Sequence, residues 1–357
     1  MSVIAIIGCG RIANFAHFPA LNKMDDVRIK YACDVIIEKA IKAKKDYPKI
    51  ENIITDYHDA LNDPEVDAIF VLVPNYLHDQ ITIDALRKGK HVFCEKPIAV
   101  NYQKALEMQK EAKRANKILN IGVCNRFNDA VRLLKKYVSE NKFGDIYHVN
   151  CFFRCVRNIP GLGGPFTDKS KSGGGVLIDW GVHFLDLILF VLGGANVKTV
   201  SADTYLEVAK DMKSYHHYGN MWASDTSDIE NGVNNVEELV IGHIRTDKAS
   251  ISINGAWAEN ICLDDMHIEF LGDKGGASLK YGGQFDIYEG DTLKESKSDI
   301  EIRNQYEVED RSFIDSINTN IPDDGYIDNV IEVAKLMDAI YKSAEKKEEI
   351  KLWKALV

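Results

Sequence analysis

Lys96, Asp179 and His183 are the residues of this sequence whose types and surroundings best suit chemistry. Asp179 and His183 are four residues apart, so a helix would place both side chains on one face. A histidine titrates near neutral pH and can accept a hydroxyl proton, and an aspartate beside it can orient it. Lys96 follows a buried strand, at the end where open α/β sheets bind ligands. Together these side chains would suit proton transfer at a bound small molecule.

Each of these residues also has a structural explanation. Lys96 could extend its charged end into solvent from the end of a strand. Asp179 could cap a helix beside a hydrogen-bonded core histidine, His183. The pair could also bind a metal ion, but no third ligand follows in the sequence. The surrounding elements therefore have to decide between these alternatives.

A glycine-rich loop near the N-terminus predicts a phosphate-binding turn. A strand pattern at residues 3–7 runs into Gly8-Cys9-Gly10-Arg11-Ile12-Ala13, and an amphipathic helix pattern follows. Gly8 permits the tight turn, Gly10 lets a pyrophosphate approach the backbone, and the small Ala13 lets helix pack on strand. The amides at the start of the helix would face the phosphates. This order of strand, turn and helix predicts dinucleotide binding.

The second strand predicts which dinucleotide is bound. Its pattern ends at Asp34, which lies 24 residues after Gly10 and would accept hydrogen bonds from an adenosine ribose. Neither Val35 nor Ile36 can bind a 2′-phosphate, and Asp34 would repel one. We therefore expect NAD as cofactor and favour it over NADP. Asp34 could at the same time cap the helix that follows it.

Alternating strand and helix patterns continue to residue 122. Apolar runs at residues 53–55, 68–73, 91–94 and 118–122 alternate with helix patterns at 79–88 and 102–116. Such alternation predicts a parallel sheet with right-handed crossovers. The loop Pro74-Asn75-Tyr76-Leu77-His78 leaves this sheet at the edge where a nicotinamide would lie. Next to such a domain, the Asp179 and His183 pair supplies what the oxidation of an alcohol needs.

The sequence pattern changes after residue 122. The patterns predict a helix at 129–140, a long strand at 146–156 and a loop rich in Gly and Pro at 158–164. An apolar helix and several strands of alternating polarity follow. That alternation predicts an antiparallel sheet with one open face. The polar segment 209–232, which includes Trp222, is interpreted as an insertion or lid, and two helices end the chain. We therefore predict an α/β protein with domains 1–122 and 123–357.

Composition excludes several classes of protein. The chain has 357 residues, of which 45% are hydrophobic and 27% charged, with a formal net charge of -10. This length suggests two domains, and the acidic balance without a basic cluster argues against a nucleic-acid partner. The N-terminus predicts a strand rather than a signal peptide, and no apolar run reaches transmembrane length. We therefore expect a cytoplasmic protein without a membrane partner.

Neither the cysteines nor the paired histidines predict a metal site. The seven cysteines are an odd number, mostly within apolar strand patterns, which is typical of buried, reduced thiols. Cys151 and Cys155 would share one strand face without further ligands nearby. His216 and His217 belong to the polar insertion. We therefore expect no metal ion.

Taken together, four motifs resemble the Gfo/Idh/MocA oxidoreductase family. They are Gly8-Cys9-Gly10; Pro74-Asn75 with His78; Glu95-Lys96-Pro97; and Gly173-Gly174-Gly175 followed by Asp179, Gly181, His183 and Asp186. The resemblance covers nearly the whole chain. It implies an N-terminal Rossmann domain with a parallel, doubly wound sheet, and a C-terminal α/β domain with a large, open, mainly antiparallel sheet. It also implies a nicotinamide cofactor, a sugar, sugar derivative or cyclitol as substrate, and a homodimer or homotetramer.

The resemblance also implies roles for individual residues. Lys96, Asp179 and His183 match the catalytic lysine, aspartate and histidine of the family. His183 would remove a hydroxyl proton, Lys96 would hydrogen-bond the same oxygen, and Asp179 would hold both in place. The expected substrate contacts are Lys96, Arg126, Arg154, Asp179, Trp180 and His183. The expected cofactor contacts are Gly8, Gly10, Arg11, Ile12, Asp34, Pro74, Asn75, His78, Glu95, Lys96 and Asn125.

Two other activities remain compatible with this scaffold. Some glycosidases of the same fold hold NAD tightly and oxidise one carbon only transiently. A sugar and dinucleotide sensor without catalysis would not need the catalytic set, so the joint presence of Lys96, Asp179 and His183 argues against it. We therefore predict an NAD-dependent dehydrogenase acting on CH–OH groups, with the glycosidase and the sensor as alternatives. Segment 209–232 matches nothing in the family and leaves the substrate open.

Overall fold

The computed structural model describes residues 1–218 and 223–352. The chain divides into two compact units. The first unit comprises Met1–Asn128 and Arg303–Ile331, and the second comprises Asp129–Ile302 and Glu332–Val357. A segment near the C-terminus therefore belongs to the same unit as the N-terminal strands. The predicted domain boundary after residue 122 stays a prediction.

The first unit contains a parallel sheet of six strands. Its strands are β1 (Ser2–Ile7), β2 (Val27–Cys33), β3 (Asn52–Ile54), β4 (Ala68–Val71), β5 (His91–Glu95) and β6 (Leu119–Gly122). Their spatial order is β3-β2-β1-β4-β5-β6. The central strands read as continuous apolar runs because helices cover both faces of such a sheet. This strand order reverses direction between β1 and β4, where doubly wound sheets form their ligand crevice.

Ten α-helices lie within the described residues. In chain order they are α1 (Phe18–Asn22), α2 (Ile37–Asp46), α3 (Tyr57–Asn62), α4 (His78–Arg87), α5 (Tyr102–Ala115), α6 (Asp129–Ser139), α7 (Lys169–Ser172), α8 (Val182–Val191), α9 (Gln305–Thr319) and α10 (Ile327–Lys346). Helix α5 shows how local sequence sets its ends. The side chain of Asn101 caps the first turn by accepting from Lys104 N–H, and Asn116 ends the helix in the left-handed conformation.

Helix α9 completes the core of the first unit. The Phe313 ring packs edge-on against Phe70 of β4 and Phe93 of β5, with ring centroids 5.4 and 5.6 Å apart. All three rings are fully buried. Burying a phenylalanine side chain stabilises a fold by roughly 1.5–3 kcal/mol, so α9 contributes substantially to this unit.

The second unit contains a sheet of nine strands. They are β7 (Ile146–Arg154), β8 (Val197–Tyr205), β9 (Leu239–Thr246), β10 (Ser250–Ala256), β11 (Asp265–Gly272), β12 (Gly275–Lys280), β13 (Phe285–Glu289), β14 (Lys294–Lys297) and β15 (Ile350–Lys351). The order is β14-β13-β12-β11-β7-β10-β9-β8-β15. Strands β10 and β7 pair in parallel, and the other pairs are antiparallel. The predicted α/β class, with a parallel sheet and a mainly antiparallel sheet, is confirmed.

The apolar helix α8 lies in the core of the second unit. Within the described residues, one helical stretch, Lys169–Val191, is long and apolar enough to cross a membrane, and 83% of its most apolar window is buried. Such burial is typical of a core helix. The predicted end of this helix at Gly193-Gly194 is confirmed, since both glycines have positive φ angles.

Candidate functional site

The glycine loop lies at the carboxyl end of β1. Gly8 has a φ of +100°, and a Cβ added there would lie 2.3 Å from the carbonyl oxygen of Leu72. A larger residue would therefore be strained and would also clash with backbone. A Cβ added to Gly10 would meet nothing within 4 Å. The loop thus leaves open space above Gly10, which fits the approach of a pyrophosphate.

The loop passes directly into a helical segment. The side chain of Asn14 donates to the carbonyl oxygens of Cys9 and Gly10, at 2.9 and 2.7 Å, and so fixes the shape of the loop. Arg11 is exposed and Ile12 is half-buried. Both are on the first helical turn, where backbone amides point outward and favour negative charge.

Asp34 follows β2 and connects two backbone segments. Its Oδ2 accepts from Cys9 N–H and its Oδ1 accepts from Ile36 N–H, both at 2.9 Å. The carboxylate is therefore held beside the glycine loop and not turned away from it. Val35 is 87% exposed and Ile36 is 48% exposed, so the two residues that follow Asp34 present apolar side chains.

The loop after β4 carries Pro74, Asn75 and His78. Pro74 is exposed and Asn75 is half-buried, whereas His78 is 1% exposed. The His78 ring nitrogens lie 2.7 Å from the Pro97 carbonyl oxygen and 2.9 Å from the Val73 carbonyl oxygen. Burial lowers the pKa of His78, although both carbonyls oppose this. His78 therefore connects the end of β4 to the Lys96-Pro97 turn, and its predicted cofactor contact stays a prediction.

Glu95 ends β5 and is the most constrained residue of this edge. Its Oε1 lies 3.1 Å from His17 Nε2, and its Oε2 accepts from the Lys96 backbone N–H at 2.9 Å. A Cβ added to Gly122, on the neighbouring β6, would lie 2.8 Å from Glu95 Oε1. Lys96 itself is half-buried and precedes a cis peptide bond to Pro97. The Glu95 carboxylate therefore lies under the backbone that carries Lys96.

Asn125 and Arg126 lie in a short 3-10 turn after β6 and are both buried. The Arg126 guanidinium donates to the carbonyl oxygens of Asp324 and Asn329, at 2.9 Å each. It thereby ties this turn to the returning C-terminal segment. The predicted contacts of Asn125 with cofactor and of Arg126 with substrate stay predictions.

Asp179, Trp180 and His183 lie on one continuous helical segment of the second unit. Asp179 and Trp180 are in a π-helical turn, Leu177–Gly181, and His183 is in the first turn of α8. All three side chains are half-buried. The His183 ring lies 6.2 Å from that of Tyr281, edge to face. The π-helical turn changes the spacing that a regular α-helix would give to Asp179 and His183.

Two glycines before this turn pack against Tyr341 and Glu237. A Cβ on Gly174 would lie 2.0 Å from Tyr341 Oη, and one on Gly175 would lie 1.8 Å from the Glu237 carbonyl oxygen. Glu237 Oε1 accepts from Gly175 N–H, Leu177 N–H and Tyr341 O–H, at 2.9, 3.1 and 2.8 Å. Burial raises the pKa of Glu237, and these donors oppose the increase. Glu237 therefore fixes the start of the segment that carries Asp179.

Arg154 lies at the end of β7 and faces carboxylates. Its guanidinium is 3.4 Å from Asp265 and 3.9 Å from Glu259, and it lies over the Phe152 ring at 5.4 Å. Burial raises the pKa of Glu259, and Arg154 opposes this. The predicted substrate contact of Arg154 stays a prediction.

Segment 209–232 is described apart from residues 219–222. Its start is organised by Glu238, which accepts from the backbone amides of Glu207, Val208 and Ala209. Its second half packs on the loop at 158–164, where Asp228 N–H donates to the Leu162 carbonyl at 3.0 Å. Trp222 lies outside the described residues. The interpretation of this segment as an insertion or lid stays a prediction.

Comparison with known proteins identifies the family. The family model described as "Oxidoreductase family, NAD-binding Rossmann fold" matches residues 3–123, and the "GFO/IDH/MocA C-terminal domain" matches residues 131–278. D-glucoside 3-dehydrogenase of Escherichia coli is 30% identical over 349 residues, which cover 96% of this chain and 95% of the relative. The chain belongs to the Gfo/Idh/MocA oxidoreductase family. Myo-inositol 2-dehydrogenase of Thermotoga maritima is also similar, at 32% identity over 200 residues, which cover 56% of this chain and 57% of that relative.

Solved structures agree with the fold of this Gfo/Idh/MocA oxidoreductase. Levoglucosan dehydrogenase, in complex with NADH and levoglucosan, superimposes with a TM-score of 0.84 at 20% identity, over 99% of this chain and 100% of that one. The aldose-aldose oxidoreductase of Caulobacter crescentus, complexed with glycerol, gives a TM-score of 0.83 at 21% identity, over 98% and 99% of the two chains. These similarities extend over both units of the fold.

The predicted site residues of this Gfo/Idh/MocA oxidoreductase fall in both units. The residues of the first unit are Gly8, Gly10, Arg11, Ile12, Asp34, Pro74, Asn75, His78, Glu95, Lys96, Asn125 and Arg126. Those of the second unit are Arg154, Asp179, Trp180 and His183. Among the described residues, no group of three or more His, Cys, Asp and Glu side chains could hold a metal ion.

Several residues next to the predicted site were not predicted from the sequence. They are His17, Asp310 and Glu309 in the first unit, and Glu237 and Tyr281 in the second. His17 was detectable, because it interrupts the apolar side of the helical segment after the glycine loop. A Glu-Asp pair within the amphipathic pattern of α9 was a weaker signal. Glu237 and Tyr281 carried no local signal, because each contacts a segment distant in sequence.

Proposed function

We propose that this Gfo/Idh/MocA oxidoreductase transfers a hydride between NAD and a CH–OH carbon of a sugar, a sugar derivative or a cyclitol. One observation carries the proposal: Gly8, Asp34, His78 and Lys96 follow four neighbouring parallel strands at their carboxyl ends. Open α/β sheets bind dinucleotides at this edge. The similarity to D-glucoside 3-dehydrogenase over 96% of the chain supports the same class of substrate.

The residues at this edge fit NAD. Gly8 and Gly10 would let the pyrophosphate approach the first helical turn, where Arg11 and Ile12 lie. Asp34 would hydrogen-bond the adenosine ribose with the carboxylate that now accepts from Cys9 N–H and Ile36 N–H. When bound, NAD supplies the hydride acceptor. NAD is favoured over NADP because Asp34 repels a 2′-phosphate and no cation follows it at Val35 or Ile36.

Lys96, Asp179 and His183 carry the chemistry in this proposal. His183 takes the hydroxyl proton, because an imidazole nitrogen can act as a general base. Lys96 donates a hydrogen bond to oxygen as negative charge develops on it. Asp179 orients the polar groups around it. The Tyr281 ring, whose centroid lies 6.2 Å from that of His183, supports the orientation of the imidazole.

The finer properties are also proposed. We propose a cytoplasmic homodimer or homotetramer without a nucleic-acid or membrane partner. The net charge of -10 supports the absence of nucleic-acid binding, and the strongly buried α8 supports the absence of a membrane span. One face of the nine-stranded sheet carries half-buried polar and aromatic side chains along β7, which supports self-association. Light scattering at several protein concentrations tests the subunit number.

Reduction of NAD tests the activity itself. The purified protein is mixed with NAD or NADP and a panel of glucosides, free aldoses, inositols, sugar phosphates and nucleotide sugars, and near-ultraviolet absorbance of the reduced cofactor is followed. Accumulation of NADH with one class supports the dehydrogenase. Cleavage of an aryl glycoside without net NADH would instead show the glycosidase. Binding of sugar and NAD without either reaction would show the sensor.

Substitution of Lys96 tests its role. Lys96→Ala should lower turnover on the order of a hundredfold or more, the scale of a positioned catalytic group. Lys88→Ala removes an exposed lysine of the same unit and should leave turnover unchanged. Near-normal turnover of Lys96→Ala would contradict the assignment.

A further inference from the structure

A buried histidine lies between two carboxylates beneath the Lys96 turn. His17 is fully buried, with Nδ1 2.9 Å from Asp310 Oδ1 and Nε2 3.1 Å from Glu95 Oε1. A neutral imidazole carries one N–H and can donate to only one of these carboxylates. Both short contacts are satisfied with both carboxylates as acceptors when each ring nitrogen carries a hydrogen.

The surroundings of His17 exclude water and leave the carboxylates as its polar neighbours. Its ring centroid lies 5.1 Å from that of Phe93 and 6.0 Å from that of Phe70, both edge-on. Tyr306 packs against a further edge at 6.3 Å. Although burial lowers the pKa of His17, the charges and hydrogen bonds of Asp310 and Glu95 raise it to about 10. An imidazolium in this position is stabilised by two charge-assisted hydrogen bonds.

A fourth ionisable group, Glu309, lies next to Asp310 in the sequence. Glu309 precedes Asp310 on α9, is 1% exposed, and neither of its carboxyl oxygens has a hydrogen-bond partner among the described residues. Burial, followed by the charges of Glu95 and Asp310, raises its pKa well above its ordinary value. Burial therefore favours the neutral form of Glu309, while the carboxyl groups of Glu95 and Asp310 contact His17.

The contacts form a chain that ends at Lys96. Asp310 of α9 binds His17, His17 binds Glu95 Oε1, and Glu95 Oε2 accepts from Lys96 N–H at 2.9 Å. Gly122 leaves just enough room for this carboxylate, because a Cβ there would lie 2.8 Å from Glu95 Oε1. The backbone of Lys96 is therefore held by a carboxylate that cannot move independently of His17.

We propose that His17 is a positioning residue for Lys96: as an imidazolium it holds the Glu95 carboxylate against α9 and thereby fixes the backbone from which Lys96 extends. The proposal rests on the catalytic role proposed for Lys96. Misplacing a catalytic group by about 1 Å can lower the rate on the order of a hundredfold. Loss of His17 should therefore lower kcat more than it weakens the binding of NAD, because the glycine loop and Asp34 lie outside this chain of contacts.

Nuclear magnetic resonance of the intact wild-type protein, labelled with nitrogen-15 in histidine, tests the charge of His17. The expected result is a ring with both nitrogens protonated at neutral pH, which loses a proton only near pH 10. Comparison with His17→Gln assigns the signal. A neutral His17 ring at pH 7 would overturn the proposal whatever the enzyme's activity.

Hydrogen exchange and kinetics test the positioning. In His17→Gln and Asp310→Asn the Lys96 amide should exchange faster, whereas the Val92 amide, bonded to the Ile118 carbonyl, should keep its protection. The same variants should lower kcat by about ten- to a hundredfold, a larger factor than the change in NADH affinity. His58→Gln and Asp315→Asn, at exposed positions, are the matched controls. Equal protection and equal kcat in His17→Gln would overturn the proposal.

These measurements separate the inference from the proposed function. If no sugar or cyclitol is oxidised, the proposed function fails, while the charge of His17 and the exchange of the Lys96 amide still decide the positioning. If His17→Gln does not fold, Asp310→Asn and the wild-type spectrum decide it.

Discussion

Removal of the Glu237 carboxylate tests how the Asp179 segment is held. Glu237→Ala would leave three buried donors without an acceptor: the amides of Gly175 and Leu177 and the Tyr341 hydroxyl. An unpaired buried donor costs roughly 1–3 kcal/mol. Burial also disfavours the wild-type Glu237 carboxylate and raises its pKa. Removal of that carboxylate therefore offsets part of the cost of the unpaired donors. We expect a net loss of about 3 kcal/mol in the free energy of unfolding.

Two milder variants make this prediction sharp. Tyr341→Phe removes one donor and leaves the two backbone donors paired, so it should cost only about 1 kcal/mol. Glu237→Gln keeps an acceptor oxygen and should fall between the two. Urea unfolding of the three variants measures the differences, and turnover relative to the folded fraction reports on Asp179. If Glu237→Ala were no less stable than Tyr341→Phe, the anchoring of residues 175–177 by this carboxylate would be refuted.

Three further predictions concern the first unit. Gly8→Ala should destabilise the fold, because φ is +100° and the Cβ would lie 2.3 Å from the Leu72 carbonyl oxygen. Gly10→Ala should keep wild-type stability but weaken NAD binding. Thermal melts measure the first effect and NADH fluorescence the second, and equal melting temperatures of Gly8→Ala and wild type would contradict the first prediction. Because burial raises the folded pKa of Glu309 above the unfolded value of 4.5, its contribution to stability should decrease as pH rises from 4.5 towards the folded pKa, and Glu309→Gln should remove this decrease. Burial, and then the charge of Lys117, lowers the pKa of His91 to about 4, so stability should be lost as pH falls from 6.5 towards 4. This loss should reach about 1–2 kcal/mol after allowance for partial exposure, and His91→Asn should show less of it in urea titrations.

Local signals in the sequence predicted the edge of the sheet at which we propose that NAD binds. The glycine loop, Asp34 and the Glu95-Lys96-Pro97 turn each follow an apolar strand, and the carboxyl ends of parallel strands meet at one edge. The strand order did not need to be known for this conclusion. The patterns also predicted α6 and β7 to within a few residues. Periodicity was sufficient there because each element has one clearly apolar face.

Contacts between distant segments could not be predicted in the same way. His17 and Asp310 are 293 residues apart, and Glu237 lies 62 residues from Gly175. Side-chain types at such separations are compatible with many pairings until the fold is known. The π-helical turn at Leu177–Gly181 was not predicted. A π-helical turn adds one residue to a helix without changing the types of residue that the helix contains, so the sequence pattern does not reveal it.

Because residues 303–331 belong to the first unit, this unit cannot complete its core until late in translation. The Phe313 ring that packs on Phe70 and Phe93 leaves the ribosome only after the whole nine-stranded sheet, except β15, has been translated. The nascent N-terminal segment therefore has an incomplete apolar core during most of elongation, when partly folded chains tend to aggregate. A chimera of two relatives with one crossover between residues 95 and 310 would take Glu95 and Asp310 from different parents. The two ends of this unit must consequently be inherited together.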